Sequence, residues 1–233
     1  MSSPVNYSRD AAVATITLDD GKVNALSPAM QAEINAALDQ ATADGEVKAV
    51  VLAGNSKVFS GGFDLSVFAS GDTAATLGML AGGFELAVRC LTFPVPVVMA
   101  ATGPAIAMGS FLLLSGDHRV GSPRSRCQAN EVTIGMTLPI AAIEIMRMRL
   151  TPAVFQRGIS TAATYAGDAA IAGGWLDEIV ESEAVLPRAQ QVAAEIAATV
   201  HTNAHVGSKL KARAAALDAI RAGIDGLAAE FAG

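Results

Sequence analysis

Apolar positions along the chain change period several times, and each change marks an element. The stretch from Ala11 to Leu18 is rich in β-branched residues and alternates as a half-buried strand does, with Asp19-Asp20-Gly21 closing it as a turn. Ser27-Pro28 then supplies an N-cap and a first-turn proline for a helix whose apolar residues Met30, Ile34, Ala37, Leu38 and Ala41 recur at helical spacing. Lys48 to Ala53 and Pro96 to Ala101 are short, nearly continuous apolar runs, the pattern of strands covered on both faces. Between them the pattern predicts a helix over 73–89, and after them a short helix from Ser110 to Leu114 and a strand at His118-Arg119-Val120. From Thr151 onward the pattern is helical, broken at Gly173-Gly174, and from Pro187 to the end Ala, Val, Ile and Leu recur at three- and four-residue intervals. The alternation of strands and helices predicts an α/β fold. A boundary near residue 186 divides a core, 1–186, from a C-terminal helical region, 187–233. No internal repeat is visible in the sequence.

Composition narrows the function. A chain of 233 residues suits one large domain or a core with a small appendage, with room for a substantial interior. Hydrophobic residues make up 52% and aromatics 5%; abundant Ala and Gly imply closely packed helices with broad apolar faces, which favours an oligomer. A net charge of −6 with no Lys/Arg-rich run argues against nucleic-acid binding. No basic stretch followed by an apolar one stands at the N-terminus, so no secretory signal is expected. The apolar runs are broken by Gly, Pro or charge before reaching the length of a membrane span, so no membrane association is expected. Cys90 and Cys127 are too few for a disulfide framework and lack metal-ligand spacing, which points to a reduced, cytoplasmic setting. The histidines His118, His201 and His205 have no spacing with Asp or Glu that suggests a metal site, and read as surface or core residues.

Two glycine-bearing turns and one carboxylate carry the candidate chemistry. The first turn, Ala53 to Leu65, places Gly61-Gly62 after a strand; the second, Gly103 to Gly109, leads from a strand into a helix whose first amides are unpaired. Each taken alone is an ordinary turn. Glu131 lies some twenty residues further on, in Ala129-Asn130-Glu131-Val132-Thr133-Ile134-Gly135.

In this order the segments resemble the crotonase (enoyl-CoA hydratase/isomerase) superfamily over nearly the whole chain. Lys22-Val23-Asn24-Ala25-Leu26 looks like the family's early acyl-CoA-binding loop. Phe59 to Leu65 looks like its first oxyanion segment, and Gly103 to Leu114 with Gly116 to Val120 like its second. Ala170 to Val180 looks like the late motif, with Trp175 where an aliphatic residue is common. The resemblance implies a spiral of short ββα units, an acyl-CoA-binding catalytic core, and a helical C-terminal portion that builds a homotrimer or a dimer of trimers. It implies that the backbone N–H groups of Phe63 and Met108 form an oxyanion hole for a thioester carbonyl, where fixed donors stabilise developing enolate charge. It further implies substrate or CoA contacts from Lys22, Val23, Ala25, Gly61, Asp64, Leu65, Gly109, Phe111, Leu138 and Pro139. No separate cofactor is expected, since coenzyme A arrives as part of the enoyl-CoA substrate.

In the hydratases of this superfamily two glutamates hold one water, and the position of the first is matched here by Phe111. Glu131 matches the second. Moving a double bond from C3=C4 to C2=C3 needs only removal of a C2 proton and its return at C4, so one carboxylate suffices. That pattern looks like the Δ3,Δ2-enoyl-CoA isomerases of fatty-acid metabolism. Leu138-Pro139-Ile140-Ala141-Ala142-Ile143-Glu144 also departs from the hydratases' usual Pro and Gly-Gly run. Two alternatives stand: a 2-enoyl-CoA hydratase drawing a second acid from Glu85 or Glu144, and a non-catalytic acyl-CoA-binding subunit. Asp64 reads more simply as a loop aspartate bonding its own backbone, and Asp117 with Arg119 as a structural pair. Lys22 and Lys57 are candidates for CoA phosphates, as are Lys209 or Lys211 from a neighbouring subunit.

Overall fold

The computed structural model describes residues 3–231. Its first strand, β1 (Val5–Asp10), turns at Ala11, whose φ is 47°, and pairs antiparallel with β2 (Val13–Leu18). The pattern of apolar residues does not reveal β1, because this edge strand buries little beyond Val5; Ala11, with its positive φ, and Ala12 form the turn, so β2 starts at Val13 and not at Ala11. Ser27 caps α1 (Pro28–Ala43) by accepting from the Met30 amide, as its position implies.

The main sheet then grows one parallel strand at a time. β3 (Ala49–Ala53) pairs with β2, β4 (Val97–Ala101) with β3, and beyond them lie β6 (His118–Gly121) and β8 (Glu178–Ile179), in the order β1-β2-β3-β4-β6-β8. A second, two-stranded sheet is made by β5 (Ala105–Ile106) and β7 (Cys127–Gln128), and Ser60 bridges onto Ala105 beside it. The chain therefore repeats one circuit: a strand in the main sheet, a short extended piece in the second, then a helix. After β3 and Ser60 come α2 (Leu65–Ala69) and α3 (Thr73–Thr92), and after β5 comes α4 (Met108–Leu114). After β7 a single 3₁₀ turn, Glu131–Ile134, precedes α5 (Ile140–Arg149). This is the ββα spiral, repeated in architecture though not in sequence.

Both faces of the central strands are covered. Val50 and Leu52 of β3 enter one core with residues of α1 and α3, while Ala49, Val51 and Ala53 enter a second with Val185, Ala189, Val192 and Ala193 of α8 (Val185–Thr199). This explains why β3 and β4 carry continuous apolar runs. Between α5 and α8 lie α6 (Pro152–Thr161) and α7 (Gly167–Gly173), with Gly174 in the left-handed region at φ 86° where the sequence shows its break. Helix α3 has the length and mean hydropathy, 1.3, of a spanning segment, contrary to the expectation that every apolar run falls short of it. Its apolar residues, among them Leu80, Phe84, Ala87 and Leu91, pack in the core.

The long α9 (Thr202–Glu230) lies against α3 and α5. It is fixed by a half-buried carboxylate: Asp117 accepts from Lys209 Nζ at 2.9 Å, from Arg213 at 2.8 Å and from the Val97 amide at 2.8 Å. This corrects two readings of the sequence. Asp117 does not pair with Arg119, which instead grips Asp177 with its Nε and a terminal nitrogen at 2.8 and 2.7 Å. Lys209 is buried in that cluster, so it is not available to a neighbouring subunit's ligand.

Candidate active site

Three loops are stitched into one block. Asn24, fully buried and at φ 51°, donates from its side-chain amide to the carbonyls of Leu18 and Phe59, and its own carbonyl accepts from Ser60 Oγ at 2.8 Å. The Gly61 amide donates to Val23 O and the Leu26 amide to Gly62 O, both at 2.8 Å. The second glycine turn locks on from the other side: the Phe59 amide donates to Pro104 O and the Ile106 amide to Ser60 O, each at 3.0 Å. Gly109 allows this approach, since a Cβ there would stand 2.5 Å from Ser60 O.

The backbone at the junction is unusual on both sides. Gly62 has φ 95°, and a Cβ on it would meet Ile106 O at 2.9 Å and the Met108 nitrogen at 3.4 Å. Opposite it, Ala107 adopts φ 50°, ψ −127°, a conformation costly for a residue with a Cβ, held by its amide's bond to Gln128 O at 2.9 Å. These turns leave the next amides unspent: among the described residues neither the Phe63 nor the Met108 N–H donates to a protein acceptor. Met108 is the first residue of α4, where such an orphan is expected.

Beside them is a cavity of about 120 Å³. Its wall is aromatic. Phe63 meets Phe84 and Phe68 edge-on, with ring centroids 6.1 and 6.5 Å apart, and Phe84 stacks on Phe111 at 6.3 Å. Gly83 provides a flat seat for Phe63, whose ring would lie 2.4 Å from any Cβ added there. Of the residues singled out in the sequence, Gly61, Phe63, Leu65, Phe111, Glu131 and Pro139 line this cavity. Met108 adjoins it through Ala107, whereas Gly109 is packed under Ser60 and Leu138 is buried. Lys22 and Val23 are exposed and Ala25 is half-buried in the adjoining loop, outside the cavity wall. Asp64 caps α2, accepting from the amide and hydroxyl of Ser66 at 2.9 and 2.7 Å; that hydroxyl bond first, and the Lys22 charge last, hold its carboxyl below the usual range. Larger clefts, of about 470 and 540 Å³, lie beside α8 and at the carboxyl ends of the main strands, but neither is lined by Glu131, Phe63 or Met108.

Glu131 is the ionisable side chain in the lining among the described residues. It opens the 3₁₀ turn, is only 7% exposed, and its Oε2 has no hydrogen-bond partner. Burial pushes its carboxyl up to about 7, against a smaller opposing pull from its own backbone N–H. Asn130 beside it also holds a buried, unpartnered oxygen, Oδ1. The proposed substitutes are elsewhere: Glu85 is exposed on α3, and Glu144 is engaged by Arg147 at 3.1 Å.

The sequence reading missed Phe68, Leu80 and Phe84, which reach the cavity from α2 and α3, and Ile134, Met136 and Phe231 on its other side. A helical period marks Leu80 and Phe84 as buried, but not which part of the core they face.

Residues 8–227 match the enoyl-CoA hydratase/isomerase family. The fold superimposes on the enoyl-CoA isomerase of Mycobacterium tuberculosis with a TM-score of 0.95 and 54% identity, covering 99% of this chain and 100% of that one. It matches an enoyl-CoA hydratase from Mycobacterium marinum with a TM-score of 0.94 and 53% identity, covering 98% and 99%. A Thermus thermophilus relative, provisionally named an enoyl-CoA hydratase, is 35% identical over 143 residues, a stretch spanning 58% of this chain and 55% of that protein. Two neighbours of nearly equal likeness carry the names of different activities, so overall similarity does not separate them. The chain belongs to the enoyl-CoA hydratase/isomerase family of the crotonase superfamily.

Proposed function

We propose that the protein is a Δ3,Δ2-enoyl-CoA isomerase in which Glu131 alone moves the proton. The observation that carries this reading is that Glu131 is the ionisable group lining the cavity among the described residues, while Phe111, which the family resemblance matches to the hydratases' other glutamate, lines the same wall and is 1% exposed. In this reading the thioester carbonyl accepts from the Phe63 and Met108 N–H groups. The Glu131 carboxylate removes the C2 proton, and the electron pair released spreads onto the carbonyl oxygen as a dienolate. The fixed donors stabilise that charge in a water-poor site. Glu131, now a carboxylic acid, returns the proton at C4; the C2=C3 bond forms, the carbonyl is restored and the carboxylate regenerated. A carboxyl raised to about 7 suits both halves, because it accepts and gives up a proton near neutral pH.

Hydration would require a water activated at C3 and a proton delivered at C2. The stacked Phe84 and Phe111 rings offer that water no hydrogen bond. A purely binding role would leave a buried, unpartnered carboxyl with no use, a costly arrangement. The exposed loop of Lys22, Val23 and Ala25 would receive the CoA portion, with no separate cofactor. The same proposal includes a homotrimer or dimer of trimers in a reducing cytoplasm, built through the helices after residue 186, where Val200 and Leu210 are exposed. Conversion of 3-enoyl-CoA in D₂O tests the proton path. Some of the product should retain the substrate's C2 hydrogen at C4; complete replacement by deuterium contradicts a sheltered single-carboxylate shuttle.

A further inference from the structure

We propose that Met136 is the gate that sets acyl-chain length, closing the inner chamber off from an apolar groove that the tail of a longer thioester would otherwise enter. The inference rests on the acyl-CoA reading above and on the way the cavities join. The chamber beside Glu131, about 120 Å³, is close in size to an apolar cavity that holds a six-carbon ring, roughly 150 Å³. A second hollow of about 290 Å³ is walled by Val132, Leu138, Ile143 and Ile159, with Thr137 as its one polar side chain. Met136 lines both.

Its backbone explains why it stands there. Gly135, in the left-handed region at φ 80°, ends the 3₁₀ turn that Glu131 begins, and both the Gly135 and Met136 amides donate to Glu131 O. The same turn thus carries the carboxylate and, just past its Gly135 cap, Met136, so an acyl chain running on past Glu131 meets that thioether next. Phe231 borders a third hollow, also shared with Met136, but there Glu230 stands in the wall, and its carboxyl suits an apolar tail poorly.

Binding of a saturated series, butanoyl-, hexanoyl-, octanoyl- and dodecanoyl-CoA, measured by calorimetry on the full chain, tests this without requiring turnover. Each buried methylene tightens binding by about fourfold. The wild type should gain up to about hexanoyl and then level off. Met136→Ala should raise the ratio of dodecanoyl to butanoyl affinity by roughly tenfold or more, since about two extra buried methylenes already supply that. Adding Ile159→Trp to block the groove should cancel the gain, and Phe231→Ala should give much less of it than Met136→Ala. Thermal melts that match the wild type establish that each variant is folded. An affinity that climbs steadily to dodecanoyl-CoA in the wild type, or equal ratios in the Met136→Ala and Phe231→Ala proteins, overturns the gate while leaving the acyl-CoA reading standing. Failure to bind any acyl-CoA overturns both.

Discussion

Phe111 stacks on Phe84 with ring centroids 6.3 Å apart and planes 23° from parallel, and both rings line the chamber that Glu131 also lines. Both rings are 1% exposed, so the position is apolar by packing as well as by residue type. Phe111→Glu should therefore raise the hydration rate with 2-enoyl-CoA relative to isomerisation, though only in part, because the new acid lacks supporting hydrogen bonds. Loss of the stacked ring should also cost about 3 kcal/mol or more of stability. Unaltered product ratios in a folded variant would show that the site of Phe111 does not select the reaction.

Glu131→Gln keeps the shape of the side chain and removes the proton transfer. Turnover should fall by about 10²–10⁴-fold, while acyl-CoA affinity measured by calorimetry stays within a few-fold of wild type. Near-normal turnover on every enoyl-CoA would remove Glu131 from the mechanism.

The raised carboxyl makes two statements about pH. Because the base must be ionised, kcat/KM should rise with pH and level off above about 7. For stability the sign is reversed: a folded-state value of about 7 against an ordinary 4.5 means that the folded protein holds this proton more tightly. Its contribution is complete below the ordinary value and is lost as pH rises through about 7, a swing on the order of 3 kcal/mol. Glu131→Gln should thus gain stability relative to wild type between acid and mildly alkaline pH, read from denaturant midpoints. A difference that does not change with pH would contradict the burial argument.

Gly62 is a backbone position with little freedom to change. Its φ of 95° and the 2.9 Å approach that a Cβ would make to Ile106 O should make Gly62→Ala lose about 1–3 kcal/mol. The shift would also misplace the neighbouring Phe63 and Met108 amides, lowering kcat more than it raises KM. A variant equal to wild type in melting and in kcat would detach this glycine from the proposed oxyanion hole.

Much of this architecture was legible in the chain. The buried strands β3 and β4 announce themselves because two cores, one on each face, demand apolar residues at every position, and Ser27-Pro28 marks the start of α1 by its capping chemistry. Gly61-Gly62 and Gly103 to Gly109 mark where backbones must meet, and Glu131 stands out as an acid in apolar surroundings. Other features carry no such mark. β1 is an exposed edge strand with little periodicity to detect. Asp117 finds Lys209 and Arg213 across more than ninety residues of chain, and its nearest charged neighbour in sequence, Arg119, turns to Asp177. The chamber's aromatic wall is assembled from the loop at Phe63 and from α2, α3 and α4, and helical spacing reveals burial without revealing which neighbours share it.

The central claim is that one carboxylate in a dry chamber isomerises and does not hydrate. Purified protein offered 3-enoyl-CoA and 2-enoyl-CoA in parallel, with products identified by chromatography and mass, tests it most directly. The account predicts conversion of the 3-enoyl to the 2-enoyl thioester far faster than addition of water to the latter. Rapid formation of 3-hydroxyacyl-CoA with negligible isomerisation would contradict it.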